Sequence, residues 1–224
     1  MKKGKLVVIE GTDGSGKSTQ FRLLLDRLMR EKCVFKHVTF PRYSEPSSAL
    51  IRMYLGGEFG GSPDSVNAYA ASTFYAVDRY ASYKQDWGEW YENGGIVLTD
   101  RYTTSNAVHQ ASKVKFWDRR NFLDFLYSLE YEKFGLPKPD LVIYLDVPTN
   151  FTDILLRKRE SEGGSSADIH EKDTKYLSEC RKTGKSAAKF YGWTTIDCVK
   201  KGVLRSTEDI HEEIYSHVLA LLKE

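Results

Sequence analysis

Only three of the 224 residues are cysteines, Cys33, Cys180 and Cys198, and they stand too far apart in the chain to form a CxxC pair. That excludes a disulfide framework and a structural zinc site, and it points to a reducing, cytoplasmic compartment. Charge of one sign is missing too. Thirty-three lysines and arginines against 31 aspartates and glutamates leave a formal net charge of +2, too little for bulk attraction to nucleic acid. No apolar run approaches the roughly 20 residues of a membrane span, and the one near the N-terminus is too short for a signal-peptide core. Internal repeats and long linkers are absent, so residues 1–224 read as a single domain. What is present is an ordinary globular balance, 41% hydrophobic and 29% charged, enough to bury a core without staples.

Short apolar runs alternate with helical stripes. Residues 5–9, Lys5 followed by the apolar run Leu6-Val7-Val8-Ile9 and bounded by Gly4 and Gly11, show the pattern of a strand buried on both faces. Residues 18–32 carry Phe21, Leu24, Leu25, Leu28 and Met29 on one helical stripe. Further strands are predicted at 34–40, 94–99, 139–145 and 194–198. Helices are predicted at 65–91, 116–134, 168–191 and 207–222, the last capped by Ser206 or Thr207. Such alternation implies an α/β fold of three layers, a central parallel sheet of about five strands with helices on both faces. One stretch, Glu162-Gly163-Gly164-Ser165-Ser166, reads as flexible and suggests a lid over about 157–170.

The segment Gly11-Thr12-Asp13-Gly14-Ser15-Gly16-Lys17-Ser18 matches GxxxxGK[ST] in full, with a strand before it and an amphipathic helix after it. Its glycines let backbone N–H groups turn inward around phosphate oxygens, and the following helix, from Ser18 and Thr19, adds its positive N-terminal end. Lys17 supplies a point charge to the β- and γ-phosphates, and the Ser18 hydroxyl is placed to ligate Mg²⁺. Asp100 closes the third strand at the carboxyl edge, where it can hold the metal's water shell. Arg101 follows it, and Arg42 follows the second strand. Two guanidiniums on adjacent strand ends suit a second anionic group beside the first nucleotide, which favours transfer between nucleotides over hydrolysis.

Together these residues resemble a known family. Asp13 within the loop, Phe40-Pro41-Arg42-Tyr43, Tyr75-Ala76-Val77-Asp78-Arg79, the run Asp100-Arg101-Tyr102-Thr103-Thr104-Ser105-Asn106 and the stretch 135–141 are similar to thymidylate kinases of the bacterial kind, in order from residue 5 to about 200. The resemblance implies a P-loop NTPase fold and transfer of the γ-phosphoryl of ATP to dTMP, giving dTDP and ADP for dTTP synthesis. It also implies Mg²⁺ as cofactor and a cytoplasmic homodimer that acts on nucleotides, without nucleic acid or membrane. On this resemblance Asp13 touches the acceptor's 3′-hydroxyl or the metal. Arg42, with Tyr43 close by, bridges the acceptor phosphate and the incoming phosphoryl group, and Arg101 holds the acceptor phosphate. Tyr75 stacks on thymine, Arg79 donates to a thymine carbonyl, and Asn106 reads the pyrimidine edge. Tyr75 and Arg79 stand four apart and so share a helical face; Phe74, about 100° round, is expected in the core.

The chain departs from the family at three places. His109 stands where an aromatic near the deoxyribose is usual, and His170 stands beside Asp168 and Glu171 where the family often has tyrosine. Position 14 is glycine, so the arginine that one subgroup carries inside the loop is missing. Arg157, Lys158 or Arg159 must supply that charge, or Arg181 or Lys185 from the next helix; Arg159 is favoured.

Overall fold

In a computed structural model that describes residues 3–161 and 174–223, with the side chains of 157–160 and 174 outside that description, five parallel strands form one sheet. They are β1 (Lys5–Gly11), β2 (Phe35–Thr39), β3 (Ile96–Asp100), β4 (Leu141–Asp146) and β5 (Thr194–Asp197), in the order β2-β3-β1-β4-β5. The chain reverses its direction of winding at β1, so the crevice beyond the carboxyl ends of β1 and β3 is the topological switch point where ligands bind in such sheets.

The run of apolar residues in β1 has its reason here. Leu6 and Val8 face one layer, with Val38, Trp87, Val97 and Tyr102, while Val7 and Ile9 face the other, with Leu24, Leu28, Ile143 and Ile214. Period-two alternation still operates, but both faces are dry. The second layer is supplied by α1 (Lys17–Arg30) and the C-terminal helix Thr207–Leu222, which Ser206 caps by accepting from the Asp209 N–H at 3.1 Å.

The predicted helix at 65–91 is three pieces. Between α1 and it lies α2 (Ala49–Leu55), which the sequence reading did not anticipate. Then α3 (Ala68–Ser82) starts at Asn67, whose side chain accepts from the Ala70 N–H at 2.9 Å; a π-helical turn over Tyr83–Trp87 follows, and then α4 (Gly88–Glu92). Phe74, expected in the core, is instead half-buried and packs on the exposed Phe59 at 6.1 Å between ring centroids. After β3, α5 (Thr103–Ser105) continues into a π turn over Asn106–Gln110, so the Asp100–Asn106 run winds directly into the site. The expected helix at 116–134 divides into α6 (Arg119–Tyr127) and a π turn, Ser128–Lys133. Then come α7 (Thr149–Ser161), α8 (Thr174–Tyr191) and the C-terminal helix, α9. A small antiparallel hairpin, β6 (Val199–Lys200) with β7 (Val203–Leu204), turns at Lys201 and Gly202, both at positive φ, as a tight hairpin requires.

Burial pushes Cys180, Cys198, Tyr83, Tyr91 and Tyr191 each up to about 12. The unfolded chain releases these protons near the ordinary thiol and phenol values of about 8.5 and about 10. The folded state therefore binds more protons than the unfolded state above about pH 8.5, and stability falls as pH rises. The melting temperature is expected to hold up to about pH 8.5 and to drop steadily as pH rises through about 12. Calorimetry in a pH series checks this; a flat profile over that window would contradict it.

Candidate active site

The phosphate cradle leaves β1 at Gly11 and enters α1 at Lys17. Gly14 and Gly16 take positive φ of 75° and 81°, the left-handed conformation that only glycine adopts cheaply. At Gly14 space is closed as well: a Cβ would stand 2.7 Å from the Thr152 carbonyl oxygen and 2.8 Å from Leu156 Cγ. The loop here packs on α7, so an arginine at position 14 is excluded by geometry and not merely by sequence. Thr12 and Ser15 are buried in the loop, while Ser18 and Thr19 are exposed at the first turn of α1.

Lys17 is 6% exposed and donates to the Thr12 carbonyl at 2.8 Å, with Asp13 3.9 Å away. Burial lowers its pKa, Arg101 lowers it further, and the carboxylates of Asp13, Asp100 and Glu10 resist. Asp100 is buried at the end of β3, and its Oδ1 has no hydrogen-bond partner. A buried carboxylate oxygen without a donor at the end of β3, with a serine hydroxyl exposed at the start of α1, fits a hard divalent cation that would draw its remaining ligands from phosphate and water.

Beside the cradle a cavity opens, lined by Asp13, Tyr43, Tyr75, Arg79, Arg101, Asn106 and His109, together with Ser105, Gln110, Leu55, Phe40 and Pro41. Seven of the eight predicted acceptor residues thus line one cavity. Arg101 donates to Asp13 and lies 3.0 Å from His109 Nε2. Burial alone would lower its pKa, but Asp13, Glu10 and Asp100 outweigh that and raise it. Arginine only donates, so His109 Nε2 is the acceptor. Tyr176 of α8 donates to the His109 carbonyl at 3.0 Å and fixes that turn from behind.

Arg79 is 1% exposed. Its Nε and Nη2 each donate to Glu130 at 2.6 Å, and Nη1 reaches the Tyr102 carbonyl at 3.3 Å. Three of five N–H groups are so used. Asn106 Nδ2 donates to the Ser72 carbonyl and to Glu130, both at 3.3 Å.

The eighth residue is placed differently. Arg42 is absent from the cavity wall; its Nε lies 3.6 Å from Asp78, and Nη2 donates to Ser47 and Gln85, each at 3.3 Å. Arg181 and Lys185 are also held elsewhere, both on Asp146 at the end of β4, at 2.7 and 2.6 Å. The side chains of Arg157, Lys158 and Arg159, and all of Asp168, His170, Glu171 and the 162–166 stretch, lie outside the described residues.

Two buried glutamates went unread in the sequence. Glu10 is the one acid inside β1, and Glu130 follows Phe122 and Leu126 at four-residue steps on a buried helical face. A lone acid on an apolar face is the signal that could have found both. Gln110, 1% exposed with Oε1 lacking a partner, lines the cavity itself and was likewise not singled out in the sequence.

A glycine-rich cradle at the switch point of a parallel sheet, beside an arginine-lined cleft, defines a P-loop nucleotide kinase. The family model described as thymidylate kinase matches residues 9–214, and this chain belongs to that family. It is a nucleoside monophosphate kinase, a phosphotransferase. It is 30% identical to the thymidylate kinase of Plasmodium falciparum over 218 residues, which cover 97% of this chain and 90% of that one. It is 32% identical over 221 residues to a probable thymidylate kinase of Pyrobaculum aerophilum, covering 97% and 95%. Thymidylate kinase of Candida albicans shares the fold, with a TM-score of 0.70 at 22% identity over 97% of this chain and 92% of that one. With a Mycobacterium tuberculosis thymidylate kinase also matching, at 31% over 75% and 78% of the two chains, the relatives do not single out the bacterial kind.

Proposed function

We propose that this kinase moves the γ-phosphoryl group of ATP onto dTMP, giving ADP and dTDP for dTTP synthesis. The observation that carries the reading is the common wall of Asp13 and Arg101. One aspartate of the donor cradle is bonded to the arginine of the acceptor cleft, so the two phosphates meet there. Lys17 neutralises the triphosphate, Arg101 grips the acceptor phosphate, and Asp13 orients both or meets the 3′-hydroxyl. The two N–H groups left on Arg79, with the Asn106 amide, suit the pyrimidine edge, and Tyr75 stacks on its face. His109 and Tyr43 close on the sugar and phosphate. Ser18 and Asp100 would hold Mg²⁺, whose chemistry there would be to offset the phosphate charge. No strong general base is required, since a monophosphate oxygen is already nucleophilic; positioning and charge supply the rate. Arg42 contributes on release from Asp78, and Arg159 from α7 is our choice for the remaining positive charge.

The test is ADP formation across dTMP, dUMP, thymidine, UMP and CMP. Turnover is expected to be fastest with dTMP; a rate no higher with dTMP than without an acceptor would sink the reading.

We further propose a homodimer. Tyr69, Val77 and Tyr80 are exposed along one face of α3, with Leu50 of α2 exposed nearby, an apolar stripe that a second copy would cover. Light scattering is expected to give twice the 25.7 kDa chain mass, and Val77→Asp to return it to one. No described helix is long and apolar enough to cross a membrane. The three free thiols support a cytoplasmic location.

A further inference from the structure

Arg101 sits in an unusual backbone conformation for a non-glycine residue, with φ of 69°. Such a conformation persists only where its surroundings over-determine it. The surroundings here are almost all β1. The Arg101 N–H donates to the Ile9 carbonyl at 3.3 Å, and the Arg101 carbonyl accepts from Thr99 Oγ1 at 2.7 Å. On the far side, the hydroxyls of Thr104 and Ser105 donate to Glu10 Oε2 at 2.8 and 2.7 Å. The other oxygen, Glu10 Oε1, accepts from the Gly11 N–H at 2.9 Å, at the first residue of the phosphate cradle. Glu10 has no exposed surface.

We propose that Glu10 is a positioning residue that locks the acceptor-phosphate arginine to the donor cradle. Its two oxygens hold two different parts: one fixes where the cradle begins, the other fixes the turn that follows Arg101. A carboxylate is required because three donors converge on it, and an amide offers only one accepting atom. The nearby negative charge also acts on both phosphate-binding cations, since it is among the groups that raise Arg101 and resist the lowering of Lys17. Donor and acceptor sites are thereby one rigid unit across β1 and β3. In-line transfer depends on that registry, because misplacement by about 1 Å can cost roughly a hundredfold.

A residue of purely structural weight would lower the melting temperature without separating the two substrates. The proposal makes a different forecast. Thr104→Val with Ser105→Ala frees only the turn, and is expected to raise KM for the acceptor about tenfold while KM for ATP moves less than about threefold. Glu10→Gln is expected to raise both constants. Combining Glu10→Gln with the double variant should add nothing further to the acceptor KM, because both break the same contact. Additive effects, or equal shifts of the two KM values in the Thr104/Ser105 variant, would overturn the assignment. A fall in melting temperature with both KM values unchanged would overturn it too.

The inference rests on the kinase reading above, so the acceptor constant is measured with whichever of dTMP, dUMP, UMP and CMP the wild type turns over fastest. A wild type that turns over none of them removes the reading and this proposal together; a wild type that does, with variants that fail to split the constants, removes only the second.

Discussion

Lys17→Met is expected to lower kcat by about a thousandfold or more while the fold survives. The side chain is buried, and its only hydrogen bond within the loop is to the Thr12 carbonyl. Methionine fills nearly the same volume without the charge, so the packing cost is small. Asp13 does not become an isolated buried anion, because Arg101 already pairs with it. What disappears is the point charge that follows the migrating phosphoryl group, in a slot where water cannot replace it. An interaction that grows toward the transition state appears mainly in kcat. ATP binding should fall much less, since the backbone N–H groups of the loop and the N-terminus of α1 still cradle the phosphates. Lys17→Arg should not restore the rate, because the guanidinium is bulkier than the buried slot holds. Steady-state kinetics with a separate ATP titration checks both halves. A kcat within about tenfold of wild type would remove Lys17 from the chemistry.

Much of this was readable before any coordinates. The strands were legible because β1, β3 and β4 are short apolar runs bounded by turn residues, and the parallel direction of all five follows from the helices between them. The cradle was legible because GxxxxGK[ST] encodes backbone geometry, which a sequence states directly. Long helices were read too generously: residues 65–91 keep helical periodicity throughout, but the π turn at Tyr83–Trp87 resets the phase, marked only by Gly88 at its end. The hairpin at 199–204 was missed because two-residue strands leave no periodicity to see. At the site, Arg101 was found from its place at a strand end, and Arg79 and Asn106 through the family resemblance. Their supports, Glu10 and Glu130, went unread although each stands as a lone acid on an apolar face, because their partners, Thr104 and Ser105 for one and Arg79 for the other, lie far off in the chain. Arg42 shows the converse limit. Its motif places it beside the acceptor, while its guanidinium is held by Asp78 and Gln85, a pairing between residues 36 and 43 positions apart that spacing cannot disclose.

Removing the side chain of Arg101 should separate the two substrates more sharply than any other change. Arg101→Ala is expected to raise KM for dTMP about a hundredfold, with KM for ATP within about threefold. The asymmetry has a structural cause. Arg101 belongs to the turn after β3, outside the cradle, and its guanidinium reaches the cradle through Asp13. Once it is gone, Asp13 retains Lys17 at 3.9 Å as a counter-charge, so the cradle keeps its balance. The acceptor phosphate has no such reserve: His109 is the other partner of that guanidinium, and Arg42 is turned toward Asp78. Alanine, however, also suffers at φ of 69°, by about 1 kcal/mol relative to glycine. Arg101→Gly supplies the control, since it deletes the same charge without the backbone cost. The two variants should share one KM for dTMP and differ in melting temperature, glycine being the more stable. Arg101→Lys should recover only part of the affinity, because an ammonium cannot grip two phosphate oxygens in one plane. If alanine and glycine instead differed in KM as well, the loss would belong to the strained turn and not to the guanidinium, and the acceptor phosphate would have to be sought elsewhere along the cleft.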